Sequence, residues 1–591
     1  MGDLASTVIF LMNVVRETQI DGVLCFHVDT GRPASAAHLL FRQGLADEPL
    51  HETGWLHLLE HLALLDRETL TRPIEGRQTL LLTHFAAFGG PEAITEQVGA
   101  LARWLSNPDL RLLARERGIL QAAAHEPSDG LIRSLTRRYG AAGPGVASYA
   151  EVGAIRATEQ ALVERSREVF NASNAILVLD GPPPAGLSVP LPPGEYRHAP
   201  DAVPLQRRLP TAYRDEVGLT LSGVVTRTHE AGFLPNILER ALHDGLRQHS
   251  GGAYGLWSAM TEVDNTQAVI AAGSDVLPEM LPGLAGAVLE VTERLAENGV
   301  PRDWVTEAVE RRLRILESPA AMVETALEGA YAALSEQVPL SYEELLAQLR
   351  GTDPRRVDLA AQELHASLLV GLPEAAPLGR SLPSVTFAES RPVGNGAKHT
   401  HVNWPADLTT FSVDDQVAER VTGTMSRTMP LSEVVGLLAW RDGARHLIGR
   451  NGAVLEMEPR EWSRGKEITK ALDAAIAPEL HVSMPDRAVT FQRMSMSERS
   501  ALAFARFANT RVGLSTMIGV LGLLALWALV GGHRVIGVFL LILAAAVGAH
   551  LWHTEAARAA AAPRPAPEAE SVPPPPAPTP ASFGPPTGAR T

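Results

Sequence analysis

The chain has 591 residues, with 52 Lys and Arg against 67 Asp and Glu and a formal net charge of −15. One hydrophobic core cannot hold this length, so we expect three or four folded units. The acidic balance argues against nucleic acid as a partner, because phosphate backbones require a basic face. The single cysteine, Cys25, excludes an intramolecular disulfide and a cysteine-based metal cage, and its apolar neighbours predict a buried thiol.

The first region alternates strand and helix patterns. Residues 7–15 and 22–29 are predicted to form a hairpin, followed by a third strand at residues 37–41. Residues 54–65 are apolar on nearly every side, which predicts a buried helix. The remaining predicted elements are a strand at 79–88, helices at 92–105 and 109–126, and a strand at 175–179.

A proline-rich stretch at residues 182–208 separates this N-terminal domain, residues 1–190, from a second domain of similar style at residues 205–375. Both are predicted to be α+β, with strands and helices packed in layers. The second domain is predicted to contain strands at 217–226, 254–260 and 266–273, and helices at 234–247, 280–298 and 303–334.

A second linker, residues 376–404, precedes a small β-rich domain at residues 405–490. The turn dipeptides Asp442-Gly443 and Asn451-Gly452 predict hairpins, and a helix is predicted at about 463–477. Hairpins followed by one helix resemble a bacterial pleckstrin-homology-like module. We expect a spacer or interaction domain.

The composition changes sharply near the C-terminus. Residues 512–530 and 535–552 are almost wholly apolar, and each is long enough to cross about 30 Å of hydrocarbon. The short connection between them predicts a transmembrane hairpin at 512–552; two core helices of a soluble domain are the alternative. The tail at 559–591 is rich in Pro and Ala, which predicts disorder.

Basic residues flank both apolar segments. Positive charge favours the cytoplasmic side of a membrane, so we expect a multi-pass protein of the cell membrane with its large N-terminal region and its tail in the cytoplasm. The flanking residues are Arg506, Arg511, Arg558 and Arg564, with Arg534 in the connection.

The sequence His57-Leu58-Leu59-Glu60-His61 lies in the predicted buried helix. Positions i and i+4 share a helix face, so both histidines could offer a ring nitrogen to one tetrahedral Zn²⁺. Glu60 could then act as general base on a water that the metal acidifies. This is the inverted order of the common zinc-protease motif. The alternative is a buried helix with two structural histidines.

The surroundings of this motif resemble the insulinase/pitrilysin family of zinc metallopeptidases. The resemblance covers about residues 7–375, the two α+β domains that form one half of a family member. It is carried by Leu39-Leu40-Phe41-Arg42-Gln43-Gly44, Asp47-Glu48, Gly54-Trp55-Leu56-His57-Leu58-Leu59-Glu60-His61, Thr83-His84-Phe85-Ala86-Ala87-Phe88-Gly89, Phe170-Asn171-Ala172-Ser173-Asn174-Ala175, and Arg247 with Gly251-Gly252-Ala253-Tyr254.

The resemblance implies residue roles as well as a fold. Arg247 and Tyr254 match residues that contact the substrate peptide. The family's third zinc ligand is a glutamate on a later helix, and the matching stretch places Ala123 at that position. Glu126, one helical turn further on, is the candidate replacement ligand. The alternative for Glu126 is a solvated carboxylate at a helix end.

Two functions follow from these expectations. The first is a membrane-anchored zinc peptidase that cleaves peptides; because family members enclose substrate between two such halves, the resemblance implies a homodimer or a second family subunit. The second is a catalytically inactive relative that serves as a structural or activating subunit of a peptidase complex. The alanine at position 123 favours the second, and the intact His57, Glu60 and His61 favour the first.

Overall fold

The computed structural model describes most of the chain up to residue 547. Its described residues fall into two compact units, one formed by 1–404 with 408–492 and the other by 405–407 with 493–591. Each unit is considered by itself. The described residues are 15–29, 31–65, 74–123, 129–149, 151–205, 208–215, 218–250, 255–274, 281–317, 321–373, 389–390, 392–488, 491, 493–508, 511–531, 533, 536 and 538–547.

A six-stranded sheet organises the N-terminal domain, in the order β1-β2-β6-β3-β5-β4. The hairpin β1-β2 turns at Asp21 and Gly22, whose φ angles of 51° and 85° suit a tight turn between twisted strands. The first hairpin strand begins at Val15 rather than Thr7, and residues 7–14 lie outside the described residues. The strands are β1 Val15–Ile20, β2 Val23–Val28, β3 Ala36–Phe41, β4 Glu75–Gln78, β5 Thr83–Phe88 and β6 Ala175–Leu179.

Helices cover both faces of this sheet, because its strands are apolar on both sides. On one face the core includes Cys25, Phe41 and Phe85 together with the apolar side of α1. Burial raises the pKa of the Cys25 thiol to about 12, as expected of an inert buried thiol. The helices of this domain are α1 Trp55–Leu65, α2 Pro91–Ser106, α3 Leu113–Ala123, α4 Gly130–Tyr139 and α5 Glu159–Val169.

The second domain contains a five-stranded sheet in the order β7-β11-β8-β10-β9. Its helix α9 packs against β2 and β6 of the first sheet, so the two domains share a core. The helix predicted at 303–334 is found as two, α8 and α9. The elements are β7 Thr211–Arg214, β8 Leu219–Thr226, β9 Leu256–Glu262, β10 Gln267–Ser274, β11 Leu369–Leu372, α6 Leu234–Ser250, α7 Leu281–Asn298, α8 Arg302–Leu316, α9 Ala321–Leu334, α10 Tyr342–Arg350 and α11 Pro354–Ala366.

The β-rich region consists of a five-stranded and a four-stranded sheet around one core. Two short strands of the first sheet come from the stretch predicted as a linker: Glu389 pairs with Arg427, and His399 pairs with Phe411. The elements are β12 Glu389–Ser390, β13 His399–Thr400, β14 Thr410–Val413, β15 Val417–Thr422, β16 Met425–Pro430, β17 Val434–Ala439, β18 Arg445–Gly449, β19 Val454–Met457, α12 Gly465–Ala475 and β20 His481–Ser483.

The β-rich region docks directly on the N-terminal domain. Leu50, Ala141 and Ile448 form a small buried cluster across the contact, and the backbone N–H of Ala141 donates to the carbonyl of Arg450 at 2.9 Å. The backbones meet so closely at Gly140, φ 77°, that a β-carbon there would lie 2.1 Å from the Arg450 carbonyl oxygen. This contact supports the 3-10 segments that follow α4.

The second unit contains helices α13, Met496–Ala508, and α14, Arg511–Val530. Among the described residues, no helix combines the length and apolar character needed to cross a membrane. The predicted transmembrane hairpin at 512–552 and the multi-pass location are therefore wrong, and the described residues give no support for the membrane as a partner.

Candidate metal centre

Helix α1 begins on a buried carboxylate. Glu48 accepts hydrogen bonds from the backbone N–H groups of Gly54 and Leu56, both at 2.9 Å, and so satisfies donors that the first helical turn leaves without partners. Burial raises the pKa of Glu48 to about 8, although these two N–H groups act in the opposite direction. Glu48 thereby fixes where the helix starts. The start of the helix in turn determines which of its residues face the edge of the sheet.

One face of α1 presents His57, Glu60 and His61 together. One ligand atom from each of the three lies within 4.8 Å of the other two. The imidazole rings are 4.6 Å apart between centroids, and His57 Nε2 lies 3.8 Å from Glu60 Oε2. Each histidine side chain is 31% exposed, so the group faces a cavity rather than a sealed core. The spacing expected from the motif is therefore present in three dimensions.

Each histidine has its Nδ1 atom held by a buried carboxylate. His57 Nδ1 lies 2.7 Å from Glu151 Oε1, and His61 Nδ1 lies 3.3 Å from Glu116 Oε2. A carboxylate on one ring nitrogen fixes the tautomer and directs the other nitrogen outward, an arrangement common around histidine metal ligands. The two Nε2 atoms remain for a cation.

Glu151 occupies an unusual backbone position. Its φ of 62° and ψ of 6° are left-handed, which is uncommon for a non-glycine residue and is found most often at functional sites. A β-carbon at Gly54 would lie 2.2 Å from Glu151 Oε2, so only glycine leaves room for this carboxylate. Together these features bring Glu151 against the start of α1.

The pKa values of His57 and Glu60 are shifted because several acidic groups lie close together at this site. Burial lowers the pKa of His57, but the hydrogen bond that His57 donates to Glu151 and the charges of Glu151, Glu60 and Glu48 raise it by more, so the net shift is upward. Burial raises the pKa of Glu60, while His57 and His61 oppose the rise. A bound cation would reverse both shifts, because it favours neutral imidazole and ionised carboxylate.

The residues fit a divalent cation by the chemistry of their donor atoms. Two imidazole nitrogens and a carboxylate oxygen are a donor set that zinc accepts in catalytic sites. Two further carboxylate oxygens at this site, Glu116 Oε1 and Glu151 Oε2, are buried and have no hydrogen-bond partner among the described residues, although Arg115 Nε lies 3.7 Å from Glu116 Oε1. Buried acceptors of this kind add negative charge that a cation would balance.

The site opens into a cavity of about 370 Å³ beside β4, an edge strand of the six-stranded sheet. Gly76 of β4 lies against the base: a β-carbon there would be 2.1 Å from Glu60 Oε1. Gln78 also lines the cavity, and neither polar atom of its amide has a hydrogen-bond partner in the part of the chain that the structure describes. The cavity thus offers an open strand edge and a polar amide next to the histidines.

The structure does not test every residue that the sequence singled out. Glu126 and Tyr254 lie outside the described residues. Arg247 lies on α6, but its side chain is also outside the described residues. Ala123 is the last residue of α3, the helix that also carries Glu116. The proposed roles of Glu126, Arg247 and Tyr254 remain predictions.

Sequence reasoning missed the two carboxylates that hold the histidines. Glu116 lies two helical turns before Ala123, and nothing in the local sequence pattern links it to His61. Glu151 has no local signal in the sequence either, because it reaches His57 only through its left-handed backbone conformation.

No protein-family model and no curated protein match this sequence. Solved structures match by fold. A peptidase M16 inactive domain from Pseudomonas fluorescens matches with a TM-score of 0.50 and 16% identity, over 61% of this chain and 99% of that chain. A chain of complex III2 from Candida albicans, Inz-5 bound, matches with a TM-score of 0.50 and 11% identity, over 61% of this chain and 97% of that chain. The fold is therefore that of M16, pitrilysin- and insulinase-like, peptidase domains, which include inactive ones.

Proposed function

We propose that this protein is a zinc-dependent peptidase that hydrolyses peptides at His57, Glu60 and His61. The observation that supports it best is the pair of carboxylate–histidine contacts, from Glu151 to His57 and from Glu116 to His61. A helix with merely structural histidines has no need for a carboxylate at each Nδ1 atom. The fold match is to an inactive M16 domain, so the fold by itself does not distinguish an enzyme from an inactive relative.

In this mechanism His57 and His61 would hold Zn²⁺ through Nε2, while Glu151 and Glu116 keep the rings in place. When bound, zinc polarises the scissile carbonyl and acidifies a water. Glu60 accepts the proton of the attacking water and passes it to the leaving amine.

The substrate would bind as an added strand along β4. Edge strands accept an extended peptide through main-chain hydrogen bonds, and in the described part of the chain β4 pairs only with β5. A peptide on this edge passes Gly76 and therefore Glu60, and the free amide of Gln78 can bind its backbone. This places a peptide carbonyl beside the metal without any requirement for a particular side chain.

A partner subunit belongs to the proposal. The resemblance implies that substrate is enclosed between two halves, of which this chain supplies one. We therefore propose a homodimer or a complex with a second M16 subunit, with Arg247 and Tyr254 contacting the peptide. The fold match to a chain of a multisubunit complex agrees with such assembly.

The alternative is an inactive relative that acts as a structural or activating subunit. Ala123, at the position of the third zinc ligand, favours it, because catalytic zinc usually has three protein ligands. Glu60 could supply that third ligand atom here, but it would then no longer be free to act as the base. The neighbour described as an inactive M16 domain shows that the fold also occurs without activity.

Measurement of bound zinc and of peptide cleavage in the full-length chain distinguishes the two functions. We expect about one zinc per chain and cleavage of an unstructured peptide, with cleavage reduced about a thousandfold or more in Glu60→Gln. Glu96→Gln, an exposed glutamate on α2, is the matched control and should cleave at the wild-type rate. Zinc without cleavage would support the inactive relative, and absence of zinc at micromolar supply would exclude the enzyme.

A further inference from the structure

A second cavity lies on the opposite face of β4, where the N-terminal domain meets the second domain. Its volume is about 1120 Å³, three times that of the cavity at the histidines. Arg77 of β4 lines both cavities. Five other arginines line the larger one: Arg227, Arg240, Arg311, Arg312 and Arg356.

The charge of this cavity is opposite to that of the whole chain. Six arginines line it against four carboxylates, those of Glu230, Glu262, Glu307 and Glu328, whereas the protein has a net charge of −15. Glu307 serves two arginines, at 2.6 Å from Arg240 and 3.7 Å from Arg311. The cavity thus has fewer anions than cations.

Two of these arginines have guanidinium N–H groups that are available to bind a ligand. Arg227 is held by Glu262 through Nη2 at 3.1 Å, but its Nη1 is buried and has no hydrogen-bond partner among the described residues. The Arg227 side chain is 10% exposed, so water gives it little compensation. Arg77 is exposed at the strand edge beside the cavity. A guanidinium group with buried free donors suits a carboxylate, which can accept two of its N–H bonds.

The alternation of side chains along β4 connects this cavity to the proposed substrate. Gly76 and Gln78 line only the histidine cavity, whereas Arg77, which pairs with His84 and alternates with them, also reaches the larger cavity. A peptide added to this edge alternates in the same way. Every second side chain of the peptide would therefore point toward the arginine-lined cavity, and the others toward the metal.

We propose that the arginine-lined cavity binds acidic side chains of the substrate, so that the enzyme prefers peptides with Asp or Glu at alternate positions on one side of the scissile bond. This inference rests on the proposed function, because it assumes a peptide paired with β4. Under this proposal the second domain contributes most of the substrate specificity, and the first domain carries out the reaction.

Binding can be measured without cleavage in the full-length Glu60→Gln chain. Labelled peptides of one sequence carry Glu, Gln or Lys at two alternate positions, and fluorescence anisotropy gives each Kd at low and at high salt. We expect the Glu peptide to bind about tenfold more tightly than the Gln peptide, with the difference reduced by salt. The Lys peptide should bind most weakly.

Charge variants assign the effect to the cavity. Arg77→Gln and Arg311→Gln should each remove a large part of the Glu-over-Gln preference. Arg314→Gln is the matched control, because Arg314 lies on α8 like Arg311, is similarly exposed, and has an equivalent partner in Glu310, but does not line the cavity. This variant should keep the full preference.

Equal Kd values for the Glu and Gln peptides would overturn the inference. So would a preference that survives Arg77→Gln and Arg311→Gln unchanged. Cleavage of both peptides at equal rates by the wild-type chain would reject the acidic preference while leaving the peptidase intact. Preferential binding of the Glu peptide without cleavage by the wild-type chain would support the acidic preference and reject the peptidase.

Discussion

Two pairs of histidines lie in the N-terminal domain, and only one of them has the surroundings of a metal site. His57 and His61 each contact a buried carboxylate through Nδ1. His38 of β3 and His84 of β5 contact each other instead, Nδ1 to Nε2 at 3.0 Å. Within the described part of the chain, neither of this second pair has a carboxylate at hydrogen-bond distance.

The pKa directions of the two pairs differ accordingly. Burial lowers the pKa of His38, and it lowers that of His84 to about 4. The pKa of His57 is raised despite similar burial, because three glutamates surround it. Two histidines close together are therefore not enough to indicate a metal site. The carboxylates around them decide whether the pair suits a cation or a neutral hydrogen bond.

The largest expected effect is the loss of metal from the first pair alone. His57→Ala removes a ligand, so bound zinc should fall from about one equivalent to a background level. His84→Ala is the control and should keep its zinc, because no ligand is removed. Elemental analysis after dialysis at micromolar zinc measures both. Equal zinc content in the two variants would show that the motif is not the binding site.

A smaller effect is expected from the carboxylates that hold the rings. Glu151→Gln and Glu116→Gln should each weaken zinc binding about 10- to 100-fold, since outer-shell partners of metal-bound histidines contribute about that much. Competition with a fluorescent chelator gives the Kd independently of activity. Glu164→Gln, an exposed glutamate on α5, is the control. If zinc affinity is unchanged in both test variants, the carboxylates have only a structural role.

The smallest effect concerns acid stability at the second pair. The folded-state pKa of His84 is near 4, below the ordinary value of 6.5, so the unfolded chain binds the proton first as the pH falls. The contribution of His84 to the free energy of unfolding is therefore complete above pH 6.5 and decreases as the pH falls toward 4, with a loss of about 2 kcal/mol by pH 5. Urea denaturation at pH 7 and pH 5 should show this loss in the wild type and a smaller one in His84→Gln. Equal losses would contradict the assignment.

The sequence was sufficient for the elements whose signal is local. Helix α1, strand β6 and the spacing of His57, Glu60 and His61 follow from periodicity and from a five-residue motif. Contacts between distant segments were not predictable in this way. Glu151 depends on a left-handed backbone and on the absence of a side chain at Gly54, and neither gives a hydrophobic pattern.

In the C-terminal segments the sequence predicted a feature that the described residues do not contain, rather than missing one. Apolar composition alone predicted a membrane-spanning hairpin at 512–552, but none of the described helices combines the length and the apolar character that a span requires. The two short strands at Glu389–Ser390 and His399–Thr400 were missed because Pro and Gly nearby favoured a linker. Strands of two residues are too short to give an alternating pattern.

The contact of the β-rich region with Gly140 and Ala141 also determines how much of the chain is needed to keep Glu151 in contact with His57. The segment from Ala141 to Glu151 has the cluster of Leu50, Ala141 and Ile448 at one end and the His57 contact at the other. A shortened chain that ended near residue 400 would expose this cluster to water and release the segment that carries Glu151. The unit that holds His57 in place therefore extends through His481–Ser483, the last strand among the described residues, far beyond the domain that contains His57.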